Sequence, residues 1–169
     1  MVAETAIIHE AAKLGIIVSR PIDDARYDLI FDLPSGLLRV QCKWTPRIAD
    51  VIVIRSYSNR RAREGFRRCY TSDEVDAVAG YCPDNTRSYL LPADLFSGMQ
   101  QVHLRLAPTR NNQQALIHWA KDYEFDARLS ALGPIAQLGE RRHGMAEAVG
   151  SSPTGSIKKP QQQLQVGLT

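Results

Sequence analysis

Cysteine is scarce in this sequence, and long apolar segments are missing from it. The 169 residues include three cysteines, an odd number, and none of them forms a C-x-x-C pair. A disulfide framework and a zinc finger are therefore not expected. No apolar run approaches the roughly 18 residues that a membrane-spanning helix needs, which predicts a soluble protein without a membrane partner. The first residues lack the basic-then-apolar pattern of a secretory signal, so we expect a cytoplasmic protein.

Positive charge is concentrated in one segment of the chain. Overall, 21 Lys and Arg residues oppose 18 Asp and Glu residues, which gives a net charge of +3. Residues 55–68 alone carry a net charge of +5, from one acid and six arginines: Arg55, Arg60, Arg61, Arg63, Arg67 and Arg68. Such a segment is suited to contacting nucleic-acid phosphates, although a solvated loop without a ligand is the alternative. The acids Asp73, Glu74 and Asp76 are interpreted as a solvated turn and strand entry.

Hydrophobic periodicity predicts one helix, then mostly antiparallel strands, then a second helix. The helices are predicted at residues 3–14 and 111–123, where apolar positions recur at helical spacing. Strands are predicted at residues 16–20, 27–33, 36–44, 51–56, 74–82, 87–92 and 102–106. This order of elements predicts an α/β or α+β fold with a core of about 130 residues.

The strands before and after the Pro-Ser-Gly turn sequence place three polar side chains together. A two-residue turn at Ser35 and Gly36 sets Asp28 opposite Lys43. Asp28, Gln41 and Lys43 then share one face of the hairpin, while the alternate residues face the core.

The sequence around these residues resembles a known nuclease family. The matching features are Glu4 on the first helix, L-G-I-I-V at 14–18, Y-D-L at 27–29, V-Q-C-K at 40–43, and further likeness over 70–95 and 104–125. They resemble the PD-(D/E)XK homing endonucleases found in bacterial tRNA-gene introns, including their V-Q-x-K variant. The resemblance spans residues 3–125 and implies a restriction-endonuclease-like core, in which helices flank a mixed central sheet.

The resemblance also implies a role for each matched residue. Asp28 is the main Mg²⁺ ligand, because hard carboxylate oxygens suit this cation. The backbone carbonyl of Cys42 and the neutral amide oxygen of Gln41 complete the metal ligands. Lys43 stabilises the charge that develops on the phosphate or orients the attacking water, and Glu4 binds metal-coordinated water. Simpler interpretations make Lys43 a surface partner of Asp28, and Glu4 an ordinary acid in a helix's first turn.

The C-terminal segment differs in character from the nuclease-like residues 1–130. Residues 131–169 are predicted to be a tail, and within it residues 133–157 show no periodicity. Reverse translation of residues 133–157 gives 73 nucleotides that can form the stems of a tRNA, and every pair fixed by the first two codon bases is complementary. With GGC as the codon for Gly144, the anticodon is that of an alanine tRNA, and another third base gives that of a proline or threonine tRNA. We therefore expect a dispensable tail and a DNA target in or beside a tRNA gene, unless the reading frame merely extended into a neighbouring gene.

Together these features predict an Mg²⁺-dependent, site-specific endonuclease that cuts double-stranded DNA and is of the homing type. Cutting both strands requires two active sites, which predicts at least a homodimer, and the resemblance implies a homotetramer. Two alternatives remain. One is a Holliday-junction resolvase-like nuclease. The other is a catalytically inactive DNA-binding relic, which is suggested by the tail and by Gln41 at the position of the family's usual acid.

Overall fold

A five-stranded mixed sheet forms the centre of the fold. The computed structural model describes residues 2–58, 67–108 and 115–132. In chain order the elements are α1 (Val2–Lys13), β1 (Ile17–Ser19), β2 (Leu29–Leu33), β3 (Gly36–Trp44), β4 (Arg47–Ile48), β5 (Val51–Arg55), β6 (Tyr57–Ser58), β7 (Arg68–Cys69), β8 (Ala77–Cys82), β9 (Arg87–Pro92), α2 (Ala93–Phe96), β10 (Gln101–Arg105), β11 (His118–Trp119), a 3₁₀ helix (Ala120–Tyr123) and α3 (Phe125–Ala131). No helix in these described ranges is long and apolar enough to cross a membrane.

Strand pairing gives the mixed sheet that the family resemblance implies. The central sheet has the order β1-β2-β3-β8-β9, in which only the β3–β8 pair is parallel. A second sheet has the order β11-β10-β5-β4, and β6 pairs with β7 as a short antiparallel ribbon. The predicted first helix and all seven predicted strands are confirmed, with ends that differ by at most three residues.

The two faces of the central sheet bury two different apolar clusters. On one face, Ile7 and Ala11 of α1 pack with Phe125 and Leu129 of α3 against alternate strand residues such as Phe31. The cluster on the other face joins β8 and β9 to β5 and β10 of the second sheet. The period-2 alternation of each strand therefore decides which side chains enter which cluster.

The register of the β2–β3 hairpin differs from the predicted one. Leu33 pairs with Gly36, so the two-residue turn is Pro34-Ser35 and not Ser35-Gly36. Gly36 has a φ of +127°, a conformation that glycine adopts without strain and other residues rarely adopt. The prediction of Asp28 opposite Lys43 is therefore wrong, and the partner of each β2 residue lies two positions earlier. Because two residues equal one full pleat, the predicted grouping of side chains on one face survives.

The predicted helix at residues 111–123 is wrong where the structure describes it, from residue 115 onward. His118 and Trp119 form β11, which pairs in parallel with Leu104 and Arg105 of β10. Leu116 has a φ of +58°, which is incompatible with a right-handed helix at this position. Pairing with the exposed edge of β10 thus overrides the local helical periodicity, and helical geometry begins only in the 3₁₀ helix.

Candidate active site

Asp28 lies immediately before β2, on the face of the central sheet opposite α1. Its backbone N–H donates to the carbonyl of Val40 at 3.0 Å, which extends the β2–β3 ladder to this residue. Its carboxylate oxygen Oδ2 accepts a 2.8 Å hydrogen bond from the backbone N–H of Cys42 and another from Nε2 of Gln41. The carboxylate is thereby fixed at the point where β3 passes it.

Gln41 directs its amide group at two oxygens. Nε2 donates to Oδ2 of Asp28 and to the backbone carbonyl of Cys42 at 3.3 Å. The residue is only 9% exposed, so its amide has little access to competing water. These two oxygens are the predicted metal-binding atoms, and here the N–H₂ group of Gln41 donates a hydrogen bond to each of them. Rotation of the amide about its last side-chain bond would turn Oε1 toward the same place.

Lys43 lies one pleat beyond Gln41 on the same face of β3. Its Nζ donates a 2.9 Å hydrogen bond to the hydroxyl of Tyr70 and lies 4.8 Å from the centre of that ring. Burial lowers the pKa of the Lys43 ammonium, the charge of Asp28 partly opposes this, and nearby Arg26 lowers it further. The side chain is half-buried and held by a partner other than Asp28, so the alternative of a simple surface pair does not describe it.

The Asp28 carboxylate is partly buried, and too little positive charge lies near it to offset that burial. Burial raises the pKa of Asp28, and the backbone N–H of Cys42 lowers it less. Glu4 raises this pKa too, which shows that its carboxylate acts on Asp28 from the N-terminal turn of α1. Glu4 also forms an ion pair with Arg20 at 3.4 Å. Negative charge from α1 therefore acts on the Asp28 carboxylate.

The thiol of Cys42 faces away from this site. Cys42 packs in the cluster beneath α1, and burial raises the pKa of its thiol far above the ordinary value. The sulfur therefore lies in the core beneath α1, whereas the backbone carbonyl accepts a hydrogen bond from Gln41. The role of the Cys42 carbonyl as a metal ligand stays a prediction.

The donor atoms of this corner suit a hard divalent cation. No group of three or more His, Cys, Asp or Glu side chains suited to a metal occurs within the described ranges. An all-oxygen set is nevertheless available from the Asp28 carboxylate, the Cys42 carbonyl and the rotated Gln41 amide. Mg²⁺ prefers such oxygen ligands, keeps several waters, and needs few protein groups. The residues present therefore fit the predicted cation.

Three of the six predicted DNA-binding arginines lie within the described residues. Arg55 ends β5 and is exposed on the second sheet. Arg67 donates to Oε1 of Gln100 at 3.3 Å and lies 5.0 Å from the centre of the Tyr57 ring, and Arg68 is paired with Glu74. The remaining three, Arg60, Arg61 and Arg63, lie outside the described residues, as does the predicted tail from residue 133 onward.

Sequence reasoning missed an ion-pair cluster beside Lys43. Arg26 donates to Glu74 at 3.3 Å, and both side chains are less than one-fifth exposed. Arg39 donates a 2.6 Å hydrogen bond to Oδ1 of Asp76, and the side-chain hydrogen bonding from Arg39 holds the pKa of that carboxyl below the usual range. The interpretation of Glu74 and Asp76 as freely solvated acids is therefore wrong. Arg39 shares a strand face with the predicted site, but nothing in the local pattern identifies its partner 37 residues away.

The chain matches a known protein family. The family model for PD-(D/E)XK endonuclease matches residues 2–126. The chain belongs to this family. Among solved structures, the bacterial homing endonuclease I-Ssp6803I is similar, with 26% sequence identity and a TM-score of 0.59 over 76% of this chain and 87% of that chain. No curated protein sequence matches significantly. The mixed-sheet core is thus that of a PD-(D/E)XK nuclease, a family that generally uses divalent metals.

Proposed function

We propose that this PD-(D/E)XK nuclease is a homing-type endonuclease that hydrolyses both strands of DNA at a specific site with Mg²⁺. The observation that carries the proposal is the convergence of Asp28, the Gln41 amide and the Cys42 carbonyl on one point, with Lys43 one pleat along. The similarity to a bacterial homing endonuclease supports the homing type. Support for DNA as substrate comes from the family and from the arginines of residues 55–68.

Each residue of the site has its own proposed role in phosphodiester hydrolysis. Asp28, the carbonyl of Cys42 and the rotated amide of Gln41 would hold the cation. When bound, the cation supplies charge that offsets the negative phosphate and makes a nearby water more acidic. Lys43 would direct its ammonium at the phosphate oxygen on which charge develops, or at the attacking water. Glu4 would accept a hydrogen bond from water on the far side of Asp28.

The reaction itself needs only water as a second reactant. A bond forms between the water oxygen and phosphorus, and the bond from phosphorus to one bridging oxygen breaks. The water proton leaves to solvent, and the departing oxygen takes up a proton. Because each active site cuts one strand, a double-strand cut requires two copies, and we propose a homodimer or homotetramer as the active form.

The proposed target is a tRNA gene, and the support for this is confined to the sequence. Residues 133–157 can be reverse-translated into 73 nucleotides that form the stems of a tRNA, and we interpret this as an overlap of the reading frame with such a gene. A homing nuclease is encoded beside or within the site that it invades. The overlap therefore points to DNA in or adjoining an alanine tRNA gene.

Mapping of cleavage on defined plasmids tests this proposal. One plasmid carries the inferred tRNA-Ala gene with its flanks, and a matched plasmid lacks it. With Mg²⁺ we expect one discrete double-strand cut in the first plasmid only, and none with EDTA or with Asp28→Ala. Equal cutting of four-way junctions without sequence preference would favour a resolvase-like nuclease, and binding without cutting would favour an inactive relic. Either result would overturn the proposal.

A further inference from the structure

Tyr70 lies between the catalytic-site strand β3 and the ribbon formed by β6 and β7. It follows β7 directly, is 2% exposed, and packs in the cluster between the two sheets. Its hydroxyl oxygen accepts the 2.9 Å hydrogen bond from Nζ of Lys43. The phenol is thus a contact to the Lys43 ammonium that comes from outside the hairpin carrying Asp28 and Gln41.

A second cation fixes the ring of Tyr70 from another side. The guanidinium of Arg26 lies 4.5 Å from the ring centre. It also donates to Ser58 Oγ at 2.6 Å and to the carbonyl of Cys69 at 3.2 Å, one group on each strand of the β6–β7 ribbon. Glu74 accepts from the same guanidinium at 3.3 Å and balances its charge. Arg26 therefore links the Tyr70 ring to the β6–β7 ribbon.

The placement of two cations against the Tyr70 ring has an electrostatic cost. The Arg26 guanidinium and the Lys43 ammonium lie within 5 Å of one ring centre, where their like charges repel each other. Nε of Arg26 is buried and has no hydrogen-bond partner in the described part of the chain. A lysine side chain has four rotatable bonds and loses about 2 kcal/mol of rotamer entropy when it is ordered. A fixed acceptor spares the reaction that ordering step, because it holds the ammonium in place beforehand.

We propose that Tyr70 is a positioning residue for Lys43, and that Arg26 seats Tyr70 on the β6–β7 ribbon. The phenol oxygen holds the ammonium on the face of the sheet that carries Asp28. The proposal rests on the proposed function, because it gives Lys43 its role in phosphodiester hydrolysis. Through Arg26 and Tyr70, the β6–β7 ribbon is then connected to Lys43. The ribbon contains residues from both ends of the arginine-rich segment.

Removal of one oxygen atom tests the proposal, and the chain offers a matched control. Tyr70→Phe keeps the ring and deletes the acceptor of Lys43. Tyr89→Phe deletes the hydroxyl of another fully buried tyrosine in the same cluster, which accepts from Asn85 at 2.8 Å and is not bonded to Lys43. In single-turnover cleavage of the target at saturating protein, Tyr70→Phe should be slower by about tenfold or more, the size expected for loss of a hydrogen bond to a charged group. Its Kd for DNA, measured with Ca²⁺ in place of Mg²⁺, should stay within about twofold of the wild type, as a positioning role requires.

A measurement that does not need activity separates this proposal from the proposed function. Acetic anhydride modifies accessible, unprotonated lysines, and mass spectrometry gives the rate at each one. The Lys43 rate should rise several-fold in Tyr70→Phe and stay unchanged in Tyr89→Phe. If the wild type fails to cut DNA but this difference is seen, the proposed function fails and the contact stands.

The opposite results overturn the positioning role. It is wrong if Tyr70→Phe cleaves as fast as the wild type or faster, or if Tyr89→Phe slows cleavage equally. It is also wrong if the Lys43 rate is the same in both variants. Should Tyr70→Phe fail to fold, Arg26→Gln replaces it, for which slower cleavage at an unchanged Kd for DNA is expected and cleavage at the wild-type rate contradicts the proposal.

Discussion

Gln41→Glu is the substitution that most sharply tests the oxygen-binding corner. The wild-type amide donates through Nε2 to Oδ2 of Asp28 and to the carbonyl of Cys42. Glutamate keeps the shape of the side chain but presents an oxygen to both of these oxygens. The substitution therefore removes two hydrogen bonds and places a second carboxylate against a partly buried one. In the absence of metal, each of these changes destabilises the fold.

The size of the effect follows from the contacts that are lost. A hydrogen bond to a charged group contributes about 1.5–3 kcal/mol. Two unit charges about 3 Å apart repel each other by about 5 kcal/mol at an effective dielectric constant of about 20. That repulsion is large enough that the pair takes up a proton instead, which limits the cost. We expect a loss of roughly 2–4 kcal/mol at pH 8 with EDTA, or a fall in Tm of roughly 6–12 °C.

The assay is thermal melting at several pH values, with and without a divalent cation. Burial already raises the pKa of Asp28, and a second acid raises the pKa of the pair further. A folded-state pKa above the unfolded one favours the fold at low pH and disfavours it as pH rises. The penalty of Gln41→Glu should therefore be small near pH 4–5, where a protonated carboxyl donates as the amide does, and largest at pH 8. Added Mg²⁺ or Ca²⁺ should stabilise the variant more than the wild type, because the site gains an anionic ligand.

Two results would refute this reasoning. A penalty independent of pH would show that the lost contacts are ordinary packing and not a charge effect. Equal or smaller stabilisation of the variant by Mg²⁺ would show that Gln41 does not face the cation. Gln100→Glu is a matched control, since Gln100 lies on an exposed segment and its amide oxygen accepts from Arg67. It should show neither the pH dependence nor the added stabilisation by metal.

Three further substitutions give expectations of defined sign. In EDTA at pH 8, Asp28→Asn should keep or raise Tm, because burial raises the pKa of Asp28 and its charge opposes folding; a clear fall in Tm would contradict this. Asp76→Asn should cost roughly 1 kcal/mol at pH 7 in denaturant unfolding, since the pair with Arg39 is partly screened by solvent. That cost should disappear as pH falls through the lowered pKa of Asp76, and a cost that persists at pH 2 would count against the ion pair. Gly80→Ala should cost about 1–3 kcal/mol, because its Cβ would lie 2.6 Å from Cγ2 of Thr45, and an unchanged Tm would show that the strand and Thr45 separate freely.

The strand faces were predictable from sequence because they depend only on alternation. Asp28, Gln41 and Lys43 fall on one face whether the turn is Pro34-Ser35 or Ser35-Gly36, since the two registers differ by a full pleat. The turn itself was not predictable, because both pairs of residues can form a two-residue connection. The predicted face of each side chain was therefore correct, although the predicted cross-strand pairs were wrong.

Contacts between residues distant in sequence account for what was missed. The pairing of β11 with β10 replaces a helix that local periodicity favours, and only the exposed edge of β10 explains it. Tyr70 contacts Lys43 from 27 residues away, and Arg26 contacts the ring of that tyrosine. In the sequence, Tyr70 is visible only as a residue between the basic segment and the strand predicted at 74–82. Such contacts depend on how two sheets stack, which no local pattern contains.

The most direct test of the active site compares two aspartates of one hairpin. Asp32 lies on the same face as Asp28, four residues along, and is exposed. Supercoiled plasmid carrying the target should be linearised by the wild type and by Asp32→Asn in Mg²⁺, and remain uncut with Asp28→Asn or with EDTA. Cleavage by Asp28→Asn at the wild-type rate, or cleavage that persists in EDTA, would contradict the assignment of Asp28, Gln41 and Cys42 as the centre of a metal-dependent nuclease.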